Sequence, residues 1–382
     1  MRFIAGNQIT LLRSGGEYFP ALKLAISQAQ QEIYLQSYIF QDDRTGRSIG
    51  QALMQAACCG VKVNLLLDGF GCQDLNVDYI AQLKAAGVNL LFYRQKISPW
   101  SFQKNRLRRL HSKVVVIDGQ VGFVGGINII DDNNVPNPNN VPPRIDYAIR
   151  LEGALLPRLH ASVADLWQRV AWLNLLKPAS HKKTLSGIHA PGIPAAFVQR
   201  DNVLHRHDIE IAYLEAIQSA SQEIIIANAY FLPGRKFRKA LLDAAKRGVK
   251  ITLLLQGRME YFLMFATHAF YSEFLNKGIA IYEYRKSFMH SKVAVIDSEW
   301  ATVGSSNIDP FSLLLAREAN VFIKDRAFAS ELRADILASI DAGAVAISAQ
   351  QWQTENTFKR VSSWLALGLV RVFLGLIGEK DE

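Results

Sequence analysis

The chain has 382 residues, enough for two domains of ordinary size with a core each. A hydrophobic share of 49% and a charged share of 20% exclude a disordered or collagen-like chain. Lys and Arg outnumber Asp and Glu by 43 to 34, a formal charge of +9 with a pI near 9.4, which favours an anionic partner such as nucleic acid, phospholipid headgroups or phosphorylated metabolites. Cys58, Cys59 and Cys72 lack the partners of a zinc site and read as reduced thiols. The thiols suit a cytosolic setting; the opening residues have no apolar core of signal length, and no run reaches the roughly 18 to 20 uninterrupted apolar residues of a spanning helix.

In chain order, the apolar run EIYLQSYIF at residues 32–40 reads as a central strand. A helical stretch ending at Gly60 follows, then the strand GVKVNLLLDG, which completes a βαβ unit. A helix is predicted over 79–86 and a further strand in GVNLLFY. The stretch from Arg94 to His111 is rich in Lys and Arg, with Trp100 and Phe102 among them. It reads either as a solvated loop or as a membrane-facing lip with its aromatics at the headgroup boundary. The segment LHSKVVVIDGQVGFVGGIN comes next, then the run NNVPNPNNVPP, a predicted rim or lid, then RIDYAIRLEG.

The second half repeats this order with EIIIANAYF, a helical stretch ending at Gly248, GVKITLLLQG, a helix over 262–277, GIAIYEY, MHSKVAVIDSEWATVGSSN and AREANVFI. The duplication predicts an α/β protein of two similar domains, each a mixed sheet flanked by helices. Expected boundaries are 1–176 for the first domain, 177–200 for a Pro-, Gly- and Ser-rich linker, 201–345 for the second domain and 346–382 for an apolar tail.

His111, Lys113 and Asp118 stand at H-x-K-x-x-x-x-D spacing, with Gly125, Gly126 and Asn128 beyond them. His290, Lys292 and Asp297 repeat the pattern before Gly304, Ser305 and Asn307. Three fixed residue types match by chance at roughly 1 in 8,000 positions, so two matches at equivalent places in a duplicated chain are a strong signal. On a strand, side chains two apart share a face, which aims each His and its Lys together. A neutral imidazole can attack phosphorus or pass a proton, and an adjacent ammonium neutralises phosphate oxygens. The Asn supplies an amide donor, and the small residues let backbone approach an anion.

This constellation resembles the phospholipase D superfamily, over nearly the whole chain from about residue 7 to about residue 342. The resemblance implies a pseudo-twofold pair of domains that share one active site at their interface, with no metal and no other cofactor. By that likeness His111 is the nucleophile that becomes a phosphohistidine and His290 the acid and base, with the reverse assignment left open by the near symmetry of the motifs. Lys113, Lys292, Asn128 and Asn307, with Gly125 and Ser305, would support the phosphoryl group. Asp118 and Asp297 complete the catalytic motifs in a structural or orienting role, and Asp146 and Glu318 are expected to orient the histidines directly. Within the superfamily, IIIANAYFLPGRKF, ATVGSSNIDPFSL and REANVFIKD are similar to the bacterial cardiolipin synthases of the B type. Gly126 departs from relatives that carry Ser there, and Phe311 from relatives with Arg.

The implied reaction moves a phosphatidyl group from phosphatidylglycerol, with phosphatidylethanolamine as another possible substrate, to the hydroxyl of a second phosphatidylglycerol, releasing glycerol. The alternatives are a phospholipase D-type hydrolase and a nuclease; the apolar tail argues against nucleic acid as partner. The expected location is the cytoplasmic side of the inner membrane, held at an anionic lipid surface. The tail, VSSWLALGLVRVFLGLIG, reads as an interfacial helix or a core helix. Tyr261, Phe262, Met264, Phe265 and Phe270 read as core, or else as the lining of an acyl-chain groove. His205 with His207, and the pairs Asp42-Asp43 and Asp131-Asp132, lack the company of a metal site.

Overall fold

A computed structural model describes residues 1–94, 108–135, 141–176, 192–201, 204–258, 262–354, 363–370 and 372. The first half contributes strands β1 (Ile4–Arg13), β2 (Glu32–Ser37), β3 (Lys62–Asp68), β4 (Asn89–Tyr93), β5 (Lys113–Ile117), β6 (Val121–Gly125) and β7 (Tyr147–Gly153). Its helices are α1 (Ser14–Ser27), α2 (Arg44–Cys58), α3 (Val77–Ala85) and α4 (Leu156–Leu173). The second half contributes β8 (Ile193–Arg200), β9 (Glu223–Asn228), β10 (Lys250–Gln256), β11 (Ala280–Tyr284), β12 (Lys292–Ile296), β13 (Trp300–Gly304), β14 (Glu318–Lys324) and β15 (Ala344–Ile347). Its helices are α5 (Asp208–Ser219), α6 (Arg235–Lys246), α7 (Phe262–His268), α8 (Tyr271–Leu275), α9 (Pro310–Leu314), α10 (Arg326–Gly343) and α11 (Ala349–Thr354).

The strands form one sheet, in the order β15-β11-β10-β9-β12-β13-β14-β8-β1-β7-β6-β5-β2-β3-β4. From its centre outward each half repeats the same sequence of strands, β1 matching β8, β7 matching β14, and so on to β4 and β11. β2, β3 and β4 are parallel, as a βαβ chain requires, while β5, β6 and β7 form an antiparallel meander beside them. The seam is the antiparallel pair β1 and β8. Residues of β6 and β7 also lie against β13 and β14, so the sheet folds over at the seam and brings the two halves face to face.

Local chemistry accounts for the repeated elements. β2 and β9 are buried on both faces, which suits their unbroken apolar runs. The Asp43 carboxylate accepts from Gly46 N–H and caps α2. Gly60 and Gly248, at φ +90° and +88°, end α2 and α6 in the left-handed region that Gly adopts without strain. One apolar cluster takes in α4 and α10 together with strands of both halves, so part of the core belongs to neither half alone.

Four expectations are corrected here. Residues 193–200, assigned to the linker, form β8, which pairs with β1 and β14 and belongs to the centre of the sheet. The boundary at 345 cuts through β15, which covers the open edge of β11. The helix over 262–277 is two short helices, α7 and α8. The predicted start of α3 moves to Val77 because Asn76 caps it, accepting from Asp78 N–H. Residues 177–191, most of the basic stretch with Trp100 and Phe102, residues 136–140 of the Asn- and Pro-rich run, and the last ten residues lie outside the described set.

Candidate active site

Each motif enters the sheet the same way. His111 and His290 stand two residues before β5 and β12, and a short bridge to the other half fixes each of them. His111 N–H donates to Arg317 O at 3.0 Å, and Arg317 N–H returns a bond to Arg109 O at 2.7 Å. The matching bridge joins His290 N–H to Ile145 O at 2.8 Å and Ile145 N–H to Phe288 O at 3.0 Å. Arg317 and Ile145 each precede an acidic residue, so the bridges deliver a carboxylate to each imidazole.

The deliveries cross between halves. His111 Nδ1 lies 2.8 Å from Glu318 Oε1, and His290 Nδ1 lies 2.7 Å from Asp146 Oδ2. With Nδ1–H given to a carboxylate, each ring keeps a bare Nε2, the tautomer that a nucleophile or base requires. Burial pushes both histidines below their usual range, His290 furthest because Lys292, Lys113 and Arg144 add to the effect. Burial also pushes Asp146 up to about 6 against the pull of Lys292. At neutral pH the arrangement is therefore imidazole beside carboxylate.

The two lysines lie buried within the same space. Burial lowers Lys113 to about 7 and Lys292 to about 8, although Glu318 and Asp146 favour their charged forms. Lys113 Nζ donates to His111 O at 2.7 Å, and Lys292 Nζ donates to His290 O. An anion entering between the motifs would meet two poorly solvated ammonium groups whose proton affinity it raises.

The Gly turns place their residues close to the dyads, and here the halves differ. A side chain at Gly125 would put its Cβ 2.5 Å from Ala148 Cα, so that position admits no other residue without movement. A Cβ at Gly126 would lie 2.4 Å from Asp146 Oδ1. At the equivalent position Ser305 Oγ donates to Glu318 Oε2. Glu318 is one methylene longer than Asp146, and the Ser fills the space that the longer side chain leaves. The sequence departure at Gly126 is thus matched to the shorter acid.

Asn128 accepts from Ile39 N–H at 3.1 Å, tying the turn to the end of β2 and leaving its amide NH₂ for other use. Asn307 donates to Ser312 Oγ at 3.4 Å, and its buried Oδ1 has no partner among the described groups. Asp118 and Asp297, grouped with the catalytic residues by their spacing, sit at the opposite ends of β5 and β12 from the histidines. Asp118 accepts from the N–H groups of Gln30, Gln31 and Glu32 at 2.7 to 2.8 Å, and Asp297 from those of Ser221, Gln222 and Glu223 at 2.8 Å. Their carboxylates pin the start of β2 and β9, away from the histidines, in keeping with the structural or orienting role expected of them within the motifs.

Other neighbours of the site were not singled out by spacing. Asp68, fully buried at the end of β3, accepts from Leu110 N–H at 2.8 Å and so holds the residue before His111. Its counterpart Gln256 donates to Met289 O at 3.1 Å, before His290. The signal was present as a polar residue closing the same apolar run in both copies. The Tyr38 ring meets His111 edge-on at 4.9 Å, and Phe288 stacks on His290 at 6.1 Å. His205 and His207 are exposed and paired with Asp208 and Glu210, as surface residues. Asp43 and Asp131 serve caps and turns.

The family model described as "Cardiolipin synthase, PLD-like domain" matches residues 22–141 and 213–339, one block for each half. The chain belongs to this phospholipase D-like family. Among its members, cardiolipin synthase B of Salmonella typhi is 38% identical, with 98% of this chain and 90% of the relative covered. Cardiolipin synthase B of Escherichia coli K12 is 37% identical over the same shares. The major cardiolipin synthase of Bacillus subtilis is 32% identical over 86% of this chain and 68% of its own length. The phosphatidylserine synthase of Haemophilus influenzae, at 14% identity, superposes with a TM-score of 0.73 over 100% of this chain and 97% of that one, and shares the fold.

Proposed function

We propose that the crossed dyads perform a two-step phosphatidyl transfer in which His111 is the nucleophile and His290 the acid and base. The protein is a cardiolipin synthase, on the strength of near-full-length identity to enzymes of that name and of the matching family. In the first step His111 Nε2 attacks the phosphorus of a phosphatidylglycerol. The bond from phosphorus to the headgroup glycerol breaks, and His290, which takes up a proton from solvent once the substrate anion offsets Lys292, Lys113 and Arg144, gives that oxygen its proton. In the second step the glycerol hydroxyl of another phosphatidylglycerol attacks the phosphohistidine, His290 takes the hydroxyl proton, and His111 leaves. Two phosphatidylglycerols thus become one cardiolipin and one glycerol, with ping-pong kinetics.

Lys113 and Lys292 neutralise the nonbridging oxygens, and Asn128 and Asn307 lie in the turns beside them. The observation that carries this reading is the exchange of carboxylates, since each imidazole is held by the half of the chain that contains the other. Purified protein incubated with phosphatidylglycerol alone is expected to yield cardiolipin and glycerol in equal amounts. Phosphatidic acid without cardiolipin would instead make it a hydrolase, and DNA cleavage without lipid turnover would make it a nuclease. Adding phosphatidylethanolamine to the same assay tests the donor.

On this reading the protein sits at the lipid surface. Among the described residues no helix is long and apolar enough to span a membrane. The helix at 363–370 buries Ser363, Ala366, Leu367 and Val370 against the second half and exposes Trp364, Leu365 and Leu369, with Val372 exposed just beyond. Core packing and interfacial contact are therefore two faces of one helix, and the exposed face supports binding to the cytoplasmic surface of the inner membrane.

A further inference from the structure

The end of α4 leaves an apolar surface uncovered beside the catalytic groups. Trp172, Leu173 and Leu175 are 68%, 71% and 95% exposed, and Leu176 is also exposed. Burial explains none of them, and four large apolar side chains exposed within five residues are unusual at a helix terminus.

Their position follows from the course of α4. His160, near its start, bonds Glu32 at the beginning of β2 at 2.6 Å. The Val163 carbonyl accepts from Gln36 further along β2, whose end leads to Tyr38 against His111. Arg169 lies close enough to depress the proton affinity of Arg317, the residue before Glu318. Residues 172–176 therefore project from the catalytic end of the sheet. Phe70 is exposed at the same end, with Arg109 stacked on its ring at 4.7 Å, two residues before His111.

The second half treats the same position differently. α10 follows β14 as α4 follows β7, and both contain Ala-Asp followed by an aliphatic residue, at Ala164-Asp165-Leu166 and Ala334-Asp335-Ile336. After α10 the chain turns into β15 and covers β11. Among the described residues no strand covers β4, and residues 174–176 just beyond α4 belong to no strand.

We propose that residues 172–176, with Phe70 and the cations Arg109 and Arg169, form a docking surface for the face of an anionic phospholipid bilayer. Charge and chemistry commit it to that occupant. A Trp and three Leu at a helix end enter the headgroup and acyl boundary, and two arginines set among them meet lipid phosphates. Docking there holds the catalytic end of the sheet against the membrane, so that a headgroup passes to His111 without its acyl chains leaving the lipid. This surface is separate from the face of the helix at 363–370, and its role rests on the reading of the protein as a lipid-acting enzyme.

The test uses the full chain carrying Leu173→Ser together with Leu175→Ser, both exposed in the wild type and expected to leave folding intact. Flotation with vesicles of phosphatidylglycerol and phosphatidylcholine is expected to show binding weakened roughly tenfold or more. Cardiolipin formation on those vesicles falls in step, while turnover of short-chain phosphatidylglycerol below its micellar concentration is unchanged. Leu175→Trp is expected to strengthen flotation. Unchanged flotation by the double Ser variant overturns the proposal. So does a wild-type dimer that the variant converts to monomer with vesicle binding intact, because the surface would then join two copies. Loss of flotation in the variant, with no cardiolipin made even by the wild type, supports the surface and refutes the enzymatic reading alone.

Discussion

The two halves hold their histidines by different means. Glu318 reaches His111 from a longer side chain and takes a second bond from Ser305, whereas Asp146 reaches His290 from a shorter one, bonds its neighbouring Tyr147 N–H and lies against Gly126. A duplicated motif has thus kept one geometry through two compensating pairs. The consequence is that equivalent substitutions in the two halves are not interchangeable, and the difference between the imidazoles in acidity follows the same division.

The comparison breaks most sharply at the histidines. His111→Ala and His290→Ala are each expected to lower cardiolipin formation by about 10⁴-fold or more, with the double variant no worse than either, as for groups that act as a unit. Trapping of labelled phosphatidyl-enzyme by denaturation at alkaline pH, where a phosphohistidine survives, separates their roles, because label retained by His290→Ala and absent from His111→Ala assigns the nucleophile. Normal turnover by either variant refutes a shared site.

The orienting carboxylates come next. Glu318→Gln and Asp146→Asn are each expected to cost about 10²-fold or more in kcat with little change in KM, by weakening the hold on the correct tautomer. The compensating pairs sharpen the point. Gly126→Ser forces the Cβ against Asp146 and is expected to cost about 10²-fold, while Ser305→Gly, which removes one bond and adds no clash, costs about tenfold or less. Equal effects in a steady-state assay would show that the pairs are not matched.

The pH profile tests the lysines. Lys113 at about 7 and Lys292 at about 8 lose their protons as pH rises, so free enzyme is expected to lose kcat/KM between pH 7 and 9. Bound phosphate raises both proton affinities, and kcat is expected to hold to higher pH. The smallest effect on turnover is expected from Asp118→Asn or Asp297→Asn. Each loses charge-assisted bonds to backbone N–H groups worth about 1–3 kcal/mol, which lowers Tm by a few degrees and leaves kcat of the folded protein near wild type. A collapse of kcat at unchanged Tm would return these residues to the catalytic group.

Much of this was legible in the sequence because duplication supplies its own control. Strand runs, helix-ending glycines and the His and Lys spacing recur at matched places, and each became the expected element. Asp146 and Glu318 were readable as acids following a motif, though nothing local could show that each serves the other half. β8 was missed because IPAAFVQR follows a stretch rich in Pro and Gly and shows weak alternation; its strand state comes from pairing with β1 and β14, which lie far away in sequence. The roles of Asp118 and Asp297 were blurred because spacing reports that a residue is fixed and is silent on what it holds. Asp68 and Gln256 differ in type, so the sequence marks their place at the end of matching apolar runs and only their backbone partners show what they hold.

The seam between β1 and β8 also bears on how the protein comes to exist. The first strand of the chain finds one neighbour in β7 and the other in β8, nearly 190 positions later, and the acid that serves His111 lies further on still, at position 318. During synthesis the first half can assemble its meander and its parallel strands, but it leaves the ribosome with an open sheet edge along β1 and an unsupported imidazole. Contacts so distant in sequence close late and slowly. A partly made chain lacks the acid that holds His111, and the unpaired edge of β1 is the place where a folding intermediate is most exposed to mispairing with its neighbours.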